Sequence, residues 1–373
     1  MYFCRKKYLI EMKITIIAGA RPNFMKIAPI LKAIETANEK GNDITARLVF
    51  TGRKNDPSLE SSLFADLGMP EPDSFLEVDS NDYFQRMAGI LVAFAKELDE
   101  YPAQLVMVVD DLTPTMACTL VARKKGIKVA HLVAGIRNFD LNTPKELNRL
   151  ISDGLSDILF TAGQSANRNL TQTGVEQAKI YLVGNILMDT LRQNYHRFER
   201  PSAFADLNLQ DQQYLLLTLN RRKLVENDSQ MKELLTTLLQ TTNLPIVAPV
   251  HTYVKNKIQE LGISDSRLYL LTPQSYLHFG YLESHAKAIV TDSGNVAEEA
   301  TFLGLPCITL NKYAEHQETV SIGTNCLVGQ DAQSFKAALE ALQKGQWKEG
   351  HLPERWDGRT AERIVQTLCQ LDL

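Results

Sequence analysis

Twelve short apolar runs, each separated from the next by a longer stretch, limit this chain more than any other feature. In the first half they are KITIIAG (13–19), ARLVFTG (46–52), LVMVVDD (105–111), KVAHLVAG (128–135), DILFTAG (157–163) and KIYLVGN (179–185). In the second half they are YLLLTLN (214–220), LPIVAPVH (244–251), LYLLTP (268–273), KAIVTDSG (287–294), PCITLN (306–311) and NCLVG (325–329). Stretches such as FMKIAPILKAIETANEKG and YFQRMAGILVAFAKELDE carry helical periodicity. Strands that are apolar on both faces and alternate with helices belong to a parallel sheet covered on both sides. A chain of 373 residues exceeds one ordinary core and fits two domains. The polar, proline-containing segment 196–213 lacks strand periodicity and reads as the crossing between them. The expected architecture is therefore α/β, with two doubly wound Rossmann-like domains at 1–195 and 196–356. A helix at about 357–373 is expected to pack back on the first. Such a pair usually holds its ligand in the cleft between the domains, at the C-terminal ends of the strands.

The formal net charge of −4 argues against a nucleic-acid partner, because no basic excess exists to neutralise a phosphate backbone. Five cysteines are scattered, odd in number and free of CxxC spacing, which predicts reduced thiols and no structural zinc. The N-terminus is basic but too short in apolar residues for a signal peptide, and Met12 starts the first clean strand. Residues 1–11 thus read as an extension outside the fold. No run approaches the ~20 apolar residues that span a bilayer, so a cytoplasmic protein without membrane contact is expected.

Two turns stand out as anion sites. In AGARPNFMK, Gly19 permits a tight turn, Arg21 stands in the loop and Pro22 suits a first helical turn. A helix N-terminus beside a guanidinium attracts anions, although a solvated Arg21 in a plain βα turn is the alternative. In VTDSGNVAEEATFLGLPCITL, a buried strand ends at Asp292, and Ser293, Gly294 and Asn295 open a helix. Their N–H groups, with the Ser293 hydroxyl, suit a diphosphate. Glu298 and Glu299 follow one turn later, where an acid can accept both hydroxyls of a ribose or simply face solvent. Ser293 lies in no G-x-S-x-G elbow, so a hydrolase triad is excluded. Asp110 and Asp111 end a strand, and alternation should leave only one facing the cleft. No metal-ligand spacing accompanies them.

These blocks, in this order, resemble the non-hydrolysing UDP-N-acetylglucosamine 2-epimerases from Lys13 to about Gly329. GARPNFMKIAPI matches the family's G-T-R-P-E-x-x-K-x-x-P, TGRKND its T-G-Q-H, and VVDDLTPT its strand ending in Gly-Asp. HLVAGIRNFDLNTPKELNRLISDGLSD matches H-V-E-A-G-x-R…P-E-E-x-N-R. VGNILMD, LNRRKL (H-R-R-E-N), PVH and TDSGNVAEEATFLGLP complete the series. The resemblance implies a glycosyltransferase-B-type fold and a UDP-N-acetylhexosamine ligand without a cofactor. It also implies a homodimer and a role in cell-surface polysaccharide synthesis. Carried over by motif, Arg21, His251, Ser293 and Gly294 would bind the diphosphate, with Asn295 replacing the second glycine of the turn. Glu299 would take the ribose, Phe279 would lie against uracil, and Arg221 or Arg222 would reach the diphosphate.

The resemblance breaks where protons are handled. The family's strand-end aspartate is kept as Asp111. Its Glu in H-V-E-A-G is Val133 here, the first Glu of P-E-E is Lys145, and the His of H-R-R-E-N is Asn220. Its T-G-Q-H histidine is Lys54, the Glu of H-R-R-E-N is Lys223, and the arginine of T-E-R-P is His316. Valine cannot ionise. Lys145 is a base if desolvated, a phosphate clamp, or an ion-pair partner of Glu146 or Asp140. The catalytic candidates are therefore Asp111, Glu146 and Lys145. His131 reads as a hydrogen-bonded core histidine, and Arg137 and Arg149 as loop-orienting partners of Asp140 or Glu146. The sequence predicts a UDP-sugar binder with weak or absent epimerase activity. A nucleotide-sugar enzyme of changed chemistry and a non-catalytic regulatory subunit remain the alternatives.

Overall fold

The computed structural model describes residues 11–80 and 82–371. The expected N-terminal extension lies, apart from Glu11, outside the described residues. The chain divides into two units, one running to Thr190 and resuming at Gly358, the other spanning Leu191–Asp357.

Among the described residues the first unit holds seven strands, β1 (Met12–Ala18), β2 (Ile44–Phe50), β3 (Ser74–Phe75), β4 (Leu105–Val109), β5 (Lys128–Leu132), β6 (Ile158–Thr161) and β7 (Ile180–Leu182). They pair in the order β3-β2-β1-β4-β5-β6-β7, every pair parallel. The second unit holds six, β8 (Leu215–Thr218), β9 (Ile246–Pro249), β10 (Leu268–Leu271), β11 (Ala288–Thr291), β12 (Cys307–Thr309) and β13 (Asn325–Leu327). Their order is β10-β9-β8-β11-β12-β13, again all parallel. Both sheets reverse their winding direction once, between β1 and β4 and between β8 and β11. Ligands of open α/β sheets bind outside such switch points, at the carboxyl ends of the strands. The switch points fall at the turns 19–21 and 110–111 in one unit and 219–221 and 292–294 in the other.

All twelve apolar runs contain a strand, but the ladders stop two or three residues before the runs do at 105–111, 128–135 and 179–185. The extra residues are loop that carries the candidate groups. The two-residue edge strand β3 has no sequence signal of its own. Segment 196–213 differs from expectation in a second way: Phe204 and Leu209 are buried in the second unit's core. Phe198 packs so closely on Gly280 that a Cβ there would lie 2.3 Å from its ring. The segment is therefore anchored to the second unit rather than being a bare crossing. At the other end, helix Thr360–Gln370 packs on helix Arg21–Glu39. Its N-terminus is capped by Asp189, whose carboxylate accepts from the N–H groups of Thr360 (3.0 Å) and Ala361 (2.8 Å). Among the described residues no helix is long and apolar enough to cross a membrane.

Candidate functional site

At the first switch point the Asn23 side chain organises the anion turn. Its Oδ1 accepts from the N–H groups of Gly19 (2.8 Å) and Ala20 (3.1 Å), and its Nδ2 donates to Asp110 at 2.8 Å. Lys26, on the same helix, pairs with the other Asp110 oxygen. Asp110 lies beyond the end of β4 with φ +60°, a conformation aspartate tolerates better than most residues. Strand alternation consequently does not govern it, and beyond the strand end Asp110 turns to Asn23 and Lys26 while Asp111 turns to Lys145 and Arg149. Asp111 Oδ1 lies 3.1 Å from Lys145 Nζ, and its Oδ2 accepts from Arg149 at 2.6 Å. Burial pushes the Asp111 carboxyl up, but the two cations outweigh it and hold the group below its ordinary range. Arg21 is engaged by Glu60, its Nε lying 2.7 Å from the carboxylate.

The loop after β5 is built from inside. Glu146, 1% exposed, accepts from the N–H groups of Asn138 (3.0 Å) and Phe139 (3.2 Å) and from Arg149 (3.2 Å). Both its oxygens serve the loop. Val133 sits at φ +66°, where a β-branched residue is a true outlier. Gly135 at φ +83° is required, because a Cβ there would lie 2.6 Å from the Ala166 carbonyl oxygen. Arg137 pairs with Asp153 at 2.5 Å rather than with Asp140 or Glu146, as expected from sequence. Asp153 also takes His131 Nδ1 at 2.7 Å and the Gly135 N–H at 3.2 Å. His131 Nε2 meets the Asp110 carbonyl at 2.7 Å. Both ring nitrogens face acceptors, an arrangement that the two N–H donors of an imidazolium satisfy. Burial opposes that charge, yet Asp153 and the Asp110 carbonyl raise the His131 pKa overall. His131 is thus a buried structural cation, and Asp153, absent from the sequence reading, is its anchor.

The second switch point is organised by Asp292, which is 1% exposed. Its carboxylate accepts from the N–H groups of Asn220 (2.8 Å) and Arg221 (2.8 Å), and its carbonyl accepts from Arg221 Nε at 2.8 Å. Burial pushes this carboxyl up against those bonds. Helix Gly294–Leu303 starts here with Ser293 at the N-cap, and the Ser293 hydroxyl makes no capping bond. Ser293, Gly294 and Asn295 are all half-buried. His251 is exposed at the start of helix Thr252–Glu260 and stacks on Tyr253, with centroids 6.0 Å apart. Tyr253 in turn donates to the Asn220 carbonyl at 2.6 Å, a link that sequence reasoning missed. Glu298 faces His316 at 3.7 Å, both buried. Glu299 is buried beside Glu283, whose carboxyl is pushed well above its ordinary value by burial and then by the Glu299 charge. Phe279 is half-buried against the second core. Glu60, Asp153 and Glu283 gave no functional signal in sequence, because a lone acid shows its partner only in three dimensions.

Known proteins share this architecture. A sequence model of the family described as UDP-N-acetylglucosamine 2-epimerase matches residues 36–369. The UDP-N-acetylglucosamine 2-epimerase of Methanocaldococcus jannaschii is 33% identical over 96% of this chain and 99% of its own length. A UDP-2,3-diacetamido-2,3-dideoxy-D-glucuronate 2-epimerase of Pseudomonas aeruginosa is 31% identical over 96% and 100%. The M. jannaschii crystal structure in complex with UDP-GlcNAc and UDP superposes with a TM-score of 0.84 at 32% identity, covering 96% of this chain and 100% of the other. The two parallel-sheet units are those of the glycosyltransferase-B-type fold of these enzymes. The chain belongs to the UDP-N-acetylglucosamine 2-epimerase family.

Proposed function

We propose that the protein binds UDP or a UDP-N-acetylhexosamine and that its standard C2 epimerisation is weak or lost. Support for nucleotide binding comes from the second unit. There Arg221, Ser293, Gly294 and Asn295 gather at a helix N-terminus beyond the strand ends, the arrangement that suits a diphosphate. His251 and Arg21 are the further diphosphate ligands in this reading. Glu299 takes the ribose and Phe279 the uracil. The M. jannaschii relative was crystallised with UDP-GlcNAc and UDP, and that of Neisseria meningitidis, 26% identical, with UDP-GlcNAc. Titration of the whole protein with UDP in a calorimeter is expected to give saturable heat; none at millimolar ligand sinks the reading.

One observation carries the loss of epimerisation: Asp111, the acid kept from the family pattern, is tied on both oxygens to Lys145 and Arg149. Epimerisation at C2 needs a base for a weakly acidic C–H and an acid for the return. Val133 offers neither, Glu146 is spent on the loop, and Lys145 is paired with Asp111. Changed chemistry on a nucleotide sugar, hydrolysis or transfer, is the second reading, favoured by the Lys145 side chain, 52% exposed beside Asp111. UDP release from a panel of sugar nucleotides separates it from an inactive binder.

Helix Tyr83–Glu100 presents Phe84 (70% exposed) and Val92 (58%), an apolar face that supports the homodimer we propose. Light scattering is expected to return twice the chain mass. Cytoplasmic residence and a role in cell-surface polysaccharide synthesis complete the proposal.

A further inference from the structure

Arg221 ends against an anion that belongs to the chain itself. Its guanidinium lies 3.6 Å from Glu315 Oε1, while its Nε is held by the Asp292 carbonyl at 2.8 Å. The other Glu315 oxygen reaches across the first residue of helix Gly294–Leu303, so closely that a Cβ on Gly294 would lie 2.8 Å from it. Glu315 belongs to the segment between β12 and the short helix Glu318–Ser321 and is 19% exposed at its side chain; Arg221 is 38% exposed. A guanidinium and a helix N-terminus attract negative charge. Here the negative charge facing them is a side chain.

We propose that Glu315 is a specificity-determining residue, an internal counter-anion that any phosphate ligand of the Arg221–Gly294 turn must displace. The inference rests on the UDP-binding reading above and deepens it. A half-exposed ion pair of this kind is weak and screened by solvent, so it yields to a stronger anion. A diphosphate carries more charge than a carboxylate and gains two-point contact with the guanidinium. A small monoanion gains little over Glu315 and meets its repulsion until the side chain has moved. The turn therefore selects ligands with a diphosphate anchored by a nucleoside and rejects simple anions. Glycine at 294 fits the same picture, since any larger residue would push the carboxylate off the turn.

Calorimetry on the whole protein tests this with three probes: UDP, uridine and inorganic pyrophosphate. Glu315→Gln is expected to tighten UDP by about two- to fivefold, the size of one weak competing charge contact removed. It should also tighten pyrophosphate by a similar factor and leave uridine unchanged. Arg221→Gln is expected to weaken UDP and to cancel the gain in the double variant. If Glu315→Gln folds poorly, judged by its melting curve, Glu315→Ala carries the same expectation. UDP affinity that is unchanged or weaker in a folded Glu315 variant overturns the proposal while leaving the nucleotide reading intact. If neither wild type nor variant binds UDP, the nucleotide reading fails and the proposal falls with it.

Discussion

Replacing Asp153 by asparagine is expected to remove about 3–5 kcal/mol of stability from the first unit, the usual cost of breaking a buried ion pair on one side. Asp153 is the common partner of Arg137 and of His131, and all three side chains are about 1% exposed. The amide would leave two buried cations facing a neutral group, and it would disturb the Gly135 N–H that holds the turn after β5. Urea unfolding of wild type and variant measures the loss; a change below 1 kcal/mol would falsify the assignment of Asp153 as the anchor. The pH dependence has two limbs. Burial raises the Asp153 carboxyl, but His131 and Arg137 outweigh it and lower its pKa, so its contribution is present above the unfolded carboxylate value and fades as pH falls through the folded one. The His131 pKa is raised, so its contribution is complete below the unfolded histidine value, ~6.5, and fades as pH rises through the folded value. Wild type is expected to be most stable between these limbs, and Asp153→Asn to lose both.

The second large effect is kinetic. Set beside the M. jannaschii relative, the protein is expected to convert UDP-N-acetylglucosamine to its C2 epimer at least ~10⁴-fold more slowly. A positioned acid or base supplies typically ~10²–10⁴-fold, and such groups act as a unit rather than additively. Proton NMR of the two epimers measures the rate, and rapid formation of UDP-N-acetylmannosamine ends the argument. The triple variant Val133→Glu, Lys145→Glu, Asn220→His is expected to recover a measurable rate, while single replacements recover little. Position 133 is already built for the change. Its φ of +66° burdens a β-branched valine, and an unbranched glutamate is under less strain there. Lys145→Glu would release Asp111 from one of its two cations.

How far the site was legible depended on the kind of signal each residue carried. Gly19, Asp111, Ser293 and Gly294 could be placed from sequence because turn residues after a buried apolar run mark strand ends, and the structure puts them at the two switch points. Asp110 was read through strand alternation, which lapses once the backbone turns left-handed past Val109. Glu146 could be named as a candidate from the loop motif alone, but that its carboxylate closes on backbone N–H groups seven and eight residues upstream shows only in the fold. The local pattern of the chain determined the strands, the two doubly wound sheets and the presence of side chains that do not ionise at 133 and 220, since these follow from hydrophobic periodicity and side-chain chemistry alone. The tertiary structure decided which charges meet: Asp111 with Lys145 and Arg149, Asp153 with His131 and Arg137, Glu315 with Arg221. Electrostatic partnership depends on ångström distances and burial between residues up to ninety-four positions apart in the chain, and those quantities exist only once the chain is folded.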